Sequence, residues 1–250
     1  MNFIDYSKIG FEAYLSSSKQ EETRRRKKEI ITAVFGEHRS NPRSFLFIGF
    51  NPAMLEYAGT SVTITQCDQD TYDQLQTLMP GVSFIDWEEL DLSQRRWDAV
   101  IAMDEFLTFV ESEDQQNQQL VKICGLAGQT AITTLKDYKN LGFKDREFSM
   151  PSVVKGDEVD RIYLEYNDYD IQDRNSFSRS VYEIEQDRLR SWRGFACRQM
   201  FFKQCAKFSI DAGAAEFLIH KNIMYKSLIK KNYEHVISMR FDNGTNYRSR

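Results

Sequence analysis

No stretch of this 250-residue chain holds the roughly 18 consecutive apolar residues needed to cross a bilayer. Its first residues, Met1-Asn2-Phe3-Ile4-Asp5, lack the basic-then-apolar order of a secretory leader. A cytoplasmic location with no membrane partner is therefore expected. Cysteine is scarce: Cys67, Cys124, Cys197 and Cys205 include no CxxC pair, and each sits in or beside an apolar stretch. Four reduced, buried thiols are the expected reading, rather than disulfides or a metal site. His38, His220 and His235 stand far apart and form no HExxH-type pattern, so no metal is implied. A large charge of one sign is missing too. The net charge of −4 exerts no long-range pull on nucleic acid, and leaves room only for a local basic patch.

What the chain does have is a series of strand-length apolar runs, each ending on a glycine or a carboxylate. Phe45-Leu46-Phe47-Ile48 stops at Gly49; the runs 62–67, 82–85 and 99–103 stop at Asp68, Asp86 and Asp104. Uninterrupted runs of this length suit strands buried on both faces, as in a parallel sheet covered by helices. In such sheets the ligand lies outside the carboxyl ends of the strands, so these terminal residues face one crevice. With 41% hydrophobic and 13% aromatic residues, the chain can bury the core of a single α/β domain spanning 1–250.

Residues 1–40 read as helical. Within 21–38, Ile30, Ile31, Val34 and Phe35 share one face, and the basic run Arg24-Arg25-Arg26-Lys27-Lys28 lies among glutamates on a solvated face. From 43 to 135 strands and helices alternate, with a helix starting near Pro52, others over 71–79 and 111–126, and a strand over 130–135. Residues 145–195 form a polar insertion whose alternating segments 161–166 and 177–185 read as an antiparallel hairpin. It carries Tyr163, Tyr166, Tyr169 and Tyr182 with Arg161, Arg174 and Arg179, and is either a surface loop or a platform for an acceptor or protein partner. A helix ending at Gly213, a strand over 216–220, a short basic helix over 224–233 and a last strand over 236–241 close the domain, leaving 243–250 as a tail. The expected fold is α/β: a mostly parallel sheet covered by helices on both faces, with an antiparallel hairpin inserted.

This arrangement resembles the class I S-adenosylmethionine-dependent methyltransferases, which are Rossmann-like. Phe45-Leu46-Phe47-Ile48-Gly49-Phe50-Asn51-Pro52-Ala53 takes the place of their glycine-rich first motif, and Asp68 that of the acidic residue binding the ribose hydroxyls. Pro80-Gly81-Val82-Ser83-Phe84-Ile85-Asp86-Trp87 is similar to the motif that flanks the adenine, and Trp97-Asp98-Ala99-Val100-Ile101-Ala102-Met103-Asp104 to the fourth motif. The resemblance covers about residues 40–140 and 198–242. It implies S-adenosylmethionine as cofactor, with Gly49, Phe50, Asn51, Asp68, Asp86, Trp87, Met103 and Asp104 around it. Phe47, Asn51 and Ala53 stand where the family has an acidic residue and two further glycines. Asn51 tolerates a left-handed turn and Ala53 is small, so the turn can form, but cofactor approach is tighter and, with Phe47 in the acidic place, one polar anchor is missing.

Each of these residues also has a plainer reading. Gly49 could be only a strand-to-helix turn, Asp68 a helix cap, Asp86 a solvated strand end, Trp87 core, and Asp104 with Glu105 ordinary loop acids. Lys136-Asp137-Tyr138-Lys139 falls where acceptors often enter this fold, and is otherwise a polar loop. No nucleophile–base constellation is visible, which is compatible with methyl transfer because alignment supplies most of that catalysis. The family's amino-methylating DNA enzymes carry (Asn/Asp)-Pro-Pro-(Tyr/Phe) after the fourth strand; Asp104-Glu105-Phe106-Leu107 stands there instead. An NAD-dependent oxidoreductase would need GxGxxG where this chain has Gly49-Phe50-Asn51-Pro52-Ala53-Met54. The leading expectation is thus a methyltransferase of unidentified acceptor. The alternative is an inactive methyltransferase-fold subunit that binds within a larger assembly, a viral one if a faint similarity to tailed-phage proteins is followed.

Overall fold

Strand β1 (Ser44–Ile48) lies inside the sheet because every residue after Ser44 is buried. The computed structural model describes residues 2–92, 96–136, 145–149, 151–173, 175–220 and 234–242. Around β1 run β2 (Ser61–Thr65), β3 (Ser83–Phe84), β4 (Trp97–Ala102), β5 (Ala127–Lys136), β11 (Glu216–His220) and β12 (Glu234–Arg240), in the order β11-β12-β5-β4-β1-β2-β3. Strands β1 to β5 are parallel to one another, and β12 inserts antiparallel between β5 and β11.

Successive side chains of β1 point to opposite faces, and the two faces build separate cores. Leu46 and Ile48 join Leu120, Ile123 and Cys124 of α4 (Glu113–Leu126) and Cys205 of α5 (Phe202–Asp211). Phe45 and Phe47 join Ile31, Val34 and Phe35 of α2 (Gln20–His38) and Leu75 of α3 (Gln69–Leu78). The first helix, α1 (Phe3–Leu15), begins with a capping box between Asn2 and Asp5. It contributes Phe3 to one core, Phe11 and Tyr14 to the other, and Ile9 to a third cluster under the insertion. α1 therefore ties the layers together.

Several elements differ from the sequence reading. The helix expected near Pro52 is there as a short 3-10 helix, Pro52–Tyr57, packed beside α2. β5 starts at Ala127 with no intervening loop, so Gly128 lies within the strand. There a Cβ would stand 3.2 Å from the Trp97 carbonyl oxygen, which favours glycine. The insertion is larger than a hairpin. β6 (Arg146–Phe148), β7 (Ser152–Val154), β8 (Arg161–Tyr169), β9 (Ser176–Glu185) and β10 (Arg188–Arg198) form a second, antiparallel sheet. Strand β10 was hidden by its bulge between Trp192 and Phe195, where Gly194 has φ 80° and the alternation breaks. The expected helix over 224–233, the tail 243–250, Arg174 and residues 137–139 lie outside the described residues.

A polar knot pins the antiparallel edge to α2. The Ser238 hydroxyl lies 2.6 Å from Nε2 of both His38 and His220. Nδ1 of His38 faces Glu216 at 3.3 Å, and Nδ1 of His220 faces Glu37 at 3.0 Å. Glu216 is shared with Arg240. One hydroxyl proton can serve only one Nε2, so the other ring must donate to the oxygen, and while that ring is neutral its Nδ1 has no proton for the facing carboxylate. Burial lowers both imidazole pKa values, more strongly than the facing carboxylates raise them. The unfolded state then binds protons more readily, so this contribution is complete above the unfolded histidine pKa of about 6.5. It is lost as the pH falls below that value toward the lower folded ones. Urea midpoints should decline from pH 7 to pH 5, and His38→Gln with His220→Gln should flatten that decline.

Candidate functional site

The carboxyl ends of β1 and β4 carry the structure's most unusual backbone. Gly49 has φ 76°, and Asp104 and Glu105 are consecutive left-handed residues at φ 56° and 58°. Left-handed non-glycine residues are costly, and a pair of them persists only where the surroundings enforce it. Here both acids are held by cations. Asp104 lies 3.4 Å from Nζ of Lys27 on α2. The Glu105 amide donates to Thr134 Oγ1 at 3.0 Å. Its carboxylate meets Lys136 Nζ at 3.1 Å and Arg179 Nη2 at 3.0 Å.

Arg179 comes from β9 of the second sheet and is fully buried. Its Nε donates to Asn167 Oδ1 at 3.0 Å, and its guanidinium lies within 6 Å of the Tyr6, Phe109 and Phe177 rings. Burial by itself would raise the Glu105 pKa, but Arg179 and Lys136 outweigh it and hold the carboxyl at about 2. Beside this pair, the Tyr6 hydroxyl donates to Glu165 Oε1 at 2.6 Å. Burial, reinforced by Glu165, pushes the phenol well above its usual range, so it stays a donor.

These groups open onto a cavity of about 600 Å³ between α1, α2, the ends of β4 and β5, and the second sheet. Tyr6, Glu105, Lys136 and Glu165 form its polar wall, while Phe50, Tyr163 and Val181 contribute apolar surface. The volume suits a small molecule.

The structure brings five of the eight sequence candidates together. Gly49, Phe50 and Asn51 adjoin Met103 and Asp104, with Asn51 Nδ2 donating to Met103 Sδ at 3.4 Å. Of the eight, Phe50 and Asp104 line the cavity. Asn51 is extended, at φ −136°, and its side chain caps the Pro52–Tyr57 turn, so the left-handed tolerance expected of it is not used. The other three lie apart from the cavity. Asp68 is the N-cap of α3, accepting the Thr71 amide at 2.8 Å, with its second oxygen 3.3 Å from Lys8. Asp86 is exposed and accepts the Glu88 amide at 2.9 Å. Trp87 is buried edge-on against Phe106, at 5.5 Å between centroids, with the Lys122 ammonium 4.5 Å from its ring.

The glycine turn itself is covered by α1. A Cβ at Gly49 would stand 2.6 Å from the edge of the Phe3 ring and 3.0 Å from Ser7 Oγ. The Phe50 amide donates to Ser7 Oγ at 2.7 Å. Sequence reasoning gave no role to Tyr6, and placed Glu105, Lys136 and Arg179 in separate loops and strands. The available signal was a pair of acids directly after an apolar run, which fixes one wall of the site and not its partners.

The strand order, with an antiparallel last insertion, is the observation that narrows the comparison with known folds. No protein-family model and no curated protein sequence matches the chain. Solved structures do. The CcbJ methyltransferase from Streptomyces caelestis aligns over 88% of this chain and 95% of its own, at 16% identity and a TM-score of 0.64. An amino pentose methyltransferase from Micromonospora echinaspora, solved with S-adenosylmethionine bound, aligns over 87% and 92%, at 10% identity and 0.64. A sugar N-methyltransferase from Streptoalloteichus aligns over 86% of each chain, at 11% identity and 0.62. This chain has the methyltransferase fold. The alignments span nearly its whole length, so the methyltransferase fold here includes the region of the second sheet. Among the described residues no helix is long and apolar enough to cross a membrane.

Proposed function

We propose that this chain is an S-adenosylmethionine-dependent methyltransferase acting on a small-molecule acceptor. The observation that carries the reading is the sheet order β3-β2-β1-β4-β5-β12-β11, with a positive-φ glycine and successive acids at its carboxyl edge. The residue types at these strand ends would suit the cofactor, although Phe3 and Ser7 cover Gly49 and Lys8 takes the free oxygen of Asp68 in this structure. Gly49 forms the turn, Asn51, Met103 and Asp104 lie beside it, and Asp68, Asp86 and Trp87 follow β2 and β3, where a ribose and an adenine would be held. Bound there, the cofactor would supply a methyl group on a sulfonium for direct transfer to a nucleophile.

The chain's own residues would do the rest by placement. The cavity walls would orient the acceptor, which can account for most of the rate in such a transfer. Lys136 offers a donor to acceptor oxygens, and Glu165, which accepts from Tyr6 and lies 3.9 Å from Arg179, is a wall carboxylate that can take the proton the acceptor loses. The ion-paired Glu105 holds the wall in place instead, because its carboxylate is already bound by two cations.

A second reading, a binding subunit without the activity, is favoured by one feature: Phe3 and Ser7 lie where the cofactor's methionine end would approach Gly49. Calorimetry with S-adenosylmethionine and its demethylated product separates the two. Micromolar binding, about −8 kcal/mol, is expected of the enzyme. No heat and no thermal shift at millimolar cofactor would leave the binding subunit as the better account.

A further inference from the structure

Three residues of α1 engage the candidate cofactor cradle point by point. Phe3 and Ser7, spaced i and i+4, lie on one side of the helix, and Lys8 reaches the cradle from the flank beside them. Phe3 fills the space above Gly49, and Ser7 takes the Phe50 amide at 2.7 Å. Lys8 lies 3.3 Å from the Asp68 oxygen that does not cap α3. The donor and acceptor that the cradle would present to a nucleoside ligand are thus already satisfied from within the chain.

We propose that the first half of α1 is a built-in occupant of the cofactor cradle, and that cofactor binds by displacing it about a hinge at Gly10. This rests on the methyltransferase reading and adds to it how access to the site is controlled. The second half of the helix is the anchor. Phe11 and Tyr14 are buried against Phe50, at 4.8 and 5.3 Å between ring centroids. Gly10 separates the halves. A Cβ there would meet nothing within 4 Å, so crowding does not require glycine. A glycine inside a helix weakens it at that point, which makes it the place for the two halves to part. Tyr6 and Gly10 also line the cavity, so swinging residues 3–9 outward would join the cavity to the cradle. Methyl donor and acceptor would then share one space, extending the contact that Phe50 and Asp104 already give the cradle with the cavity.

The test is calorimetric titration of the full chain with S-adenosylmethionine, in wild type, Phe3→Ala, Ser7→Ala and Gly10→Ala. An occupant lowers apparent affinity by the fraction of molecules that are open. Phe3→Ala should therefore bind about tenfold more tightly, and Ser7→Ala several-fold more tightly. Gly10→Ala should bind several-fold more weakly, because a stiffer helix opens less often. Hydrogen exchange supplies a readout independent of affinity. On adding cofactor, amides 4–10 should exchange faster while 11–15 stay protected. Should Phe3→Ala not fold, the opposite shifts of Ser7→Ala and Gly10→Ala still decide the matter. Slower exchange at 4–10 on binding, or wild-type affinity in Ser7→Ala and Gly10→Ala, would overturn the occupant while leaving the methyltransferase reading standing. Absence of heat in wild type and in every variant would remove both together.

Discussion

Arg179→Met should destabilise the protein by about 3–5 kcal/mol, measured as the shift in urea unfolding free energy. The guanidinium is fully buried and holds Glu105 at 3.0 Å, so its removal leaves a carboxylate buried away from water without its arginine partner, with Lys136 Nζ 3.1 Å away. Arg179 is also imperfectly satisfied, since among the described residues its Nη1 has no hydrogen-bond partner, and this places the expected effect toward the low end. A second substitution should return part of the loss. Glu105→Gln in the Arg179→Met background removes the stranded charge, so the double variant should be more stable than Arg179→Met alone. The pH dependence has a definite sign. In wild type Glu105 is held at about 2, so its contribution is complete above the unfolded carboxylate pKa of about 4.3 and is lost only as the pH falls through about 2. Without Arg179 burial raises that pKa, and the native state then gains protons on acidification. The gap between wild type and variant should therefore narrow below about pH 5. A cost under about 1 kcal/mol at pH 7 would mean that water reaches the pair and that the second sheet does not seal this end of β4.

The central sheet was legible because its information is local. Runs such as Phe45-Leu46-Phe47-Ile48 need only their own sequence to be read as doubly buried strands, and β1 is buried along that run. Helix faces were legible for the same reason, with Ile31, Val34 and Phe35 inside as their spacing implies. Strand β3 shows where this logic weakens. Only Ser83 and Phe84 pair with β2, and both are exposed, because an edge strand is buried on one side at most. Strand β10 was lost to a bulge, and the 3-10 turn at Pro52 packs beside α2, which lies earlier in the chain.

The site was legible only from one side. Apolar runs pointed to Gly49, Asp68 and Asp104, since strand ends can be counted along the sequence. The groups that meet them cannot. Arg179 pairs with Glu105 across 74 residues, and Tyr6 pairs with Glu165 across 159. Neither separation leaves a local trace, and a buried arginine in a polar strand looks like any solvated one. Asp68 shows the same limit. The sequence allowed it to be a cap or a ligand, and the cap is the role its geometry displays, with Lys8 on the remaining oxygen.

Gly49→Ala should destabilise the ligand-free protein by about 2–5 kcal/mol, for two separable reasons. Alanine at φ 76° bears a backbone penalty of about 1–2 kcal/mol. Its Cβ would also stand 2.6 Å from the Phe3 ring edge, inside any real carbon–carbon contact, and forcing Phe3 aside adds about 1–3 kcal/mol. Only the second term depends on where α1 sits. Phe3→Ala alone should cost about 3–5 kcal/mol, because Phe3 packs edge-on against Phe106 and Phe109 at 4.8 and 5.3 Å between centroids. In that background the collision with Phe3 is gone, so Gly49→Ala should cost its backbone share and only the small adjustment needed at Ser7 Oγ, 3.0 Å away. A double-mutant cycle should thus return a coupling of about 1–3 kcal/mol between a residue at the start of α1 and one at the end of β1. Additive losses would mean that Phe3 does not lie on the turn in solution, and α1 would then have no hold on the cradle. The cycle is run without cofactor, so its outcome fixes the resting position of α1 whatever the protein proves to bind.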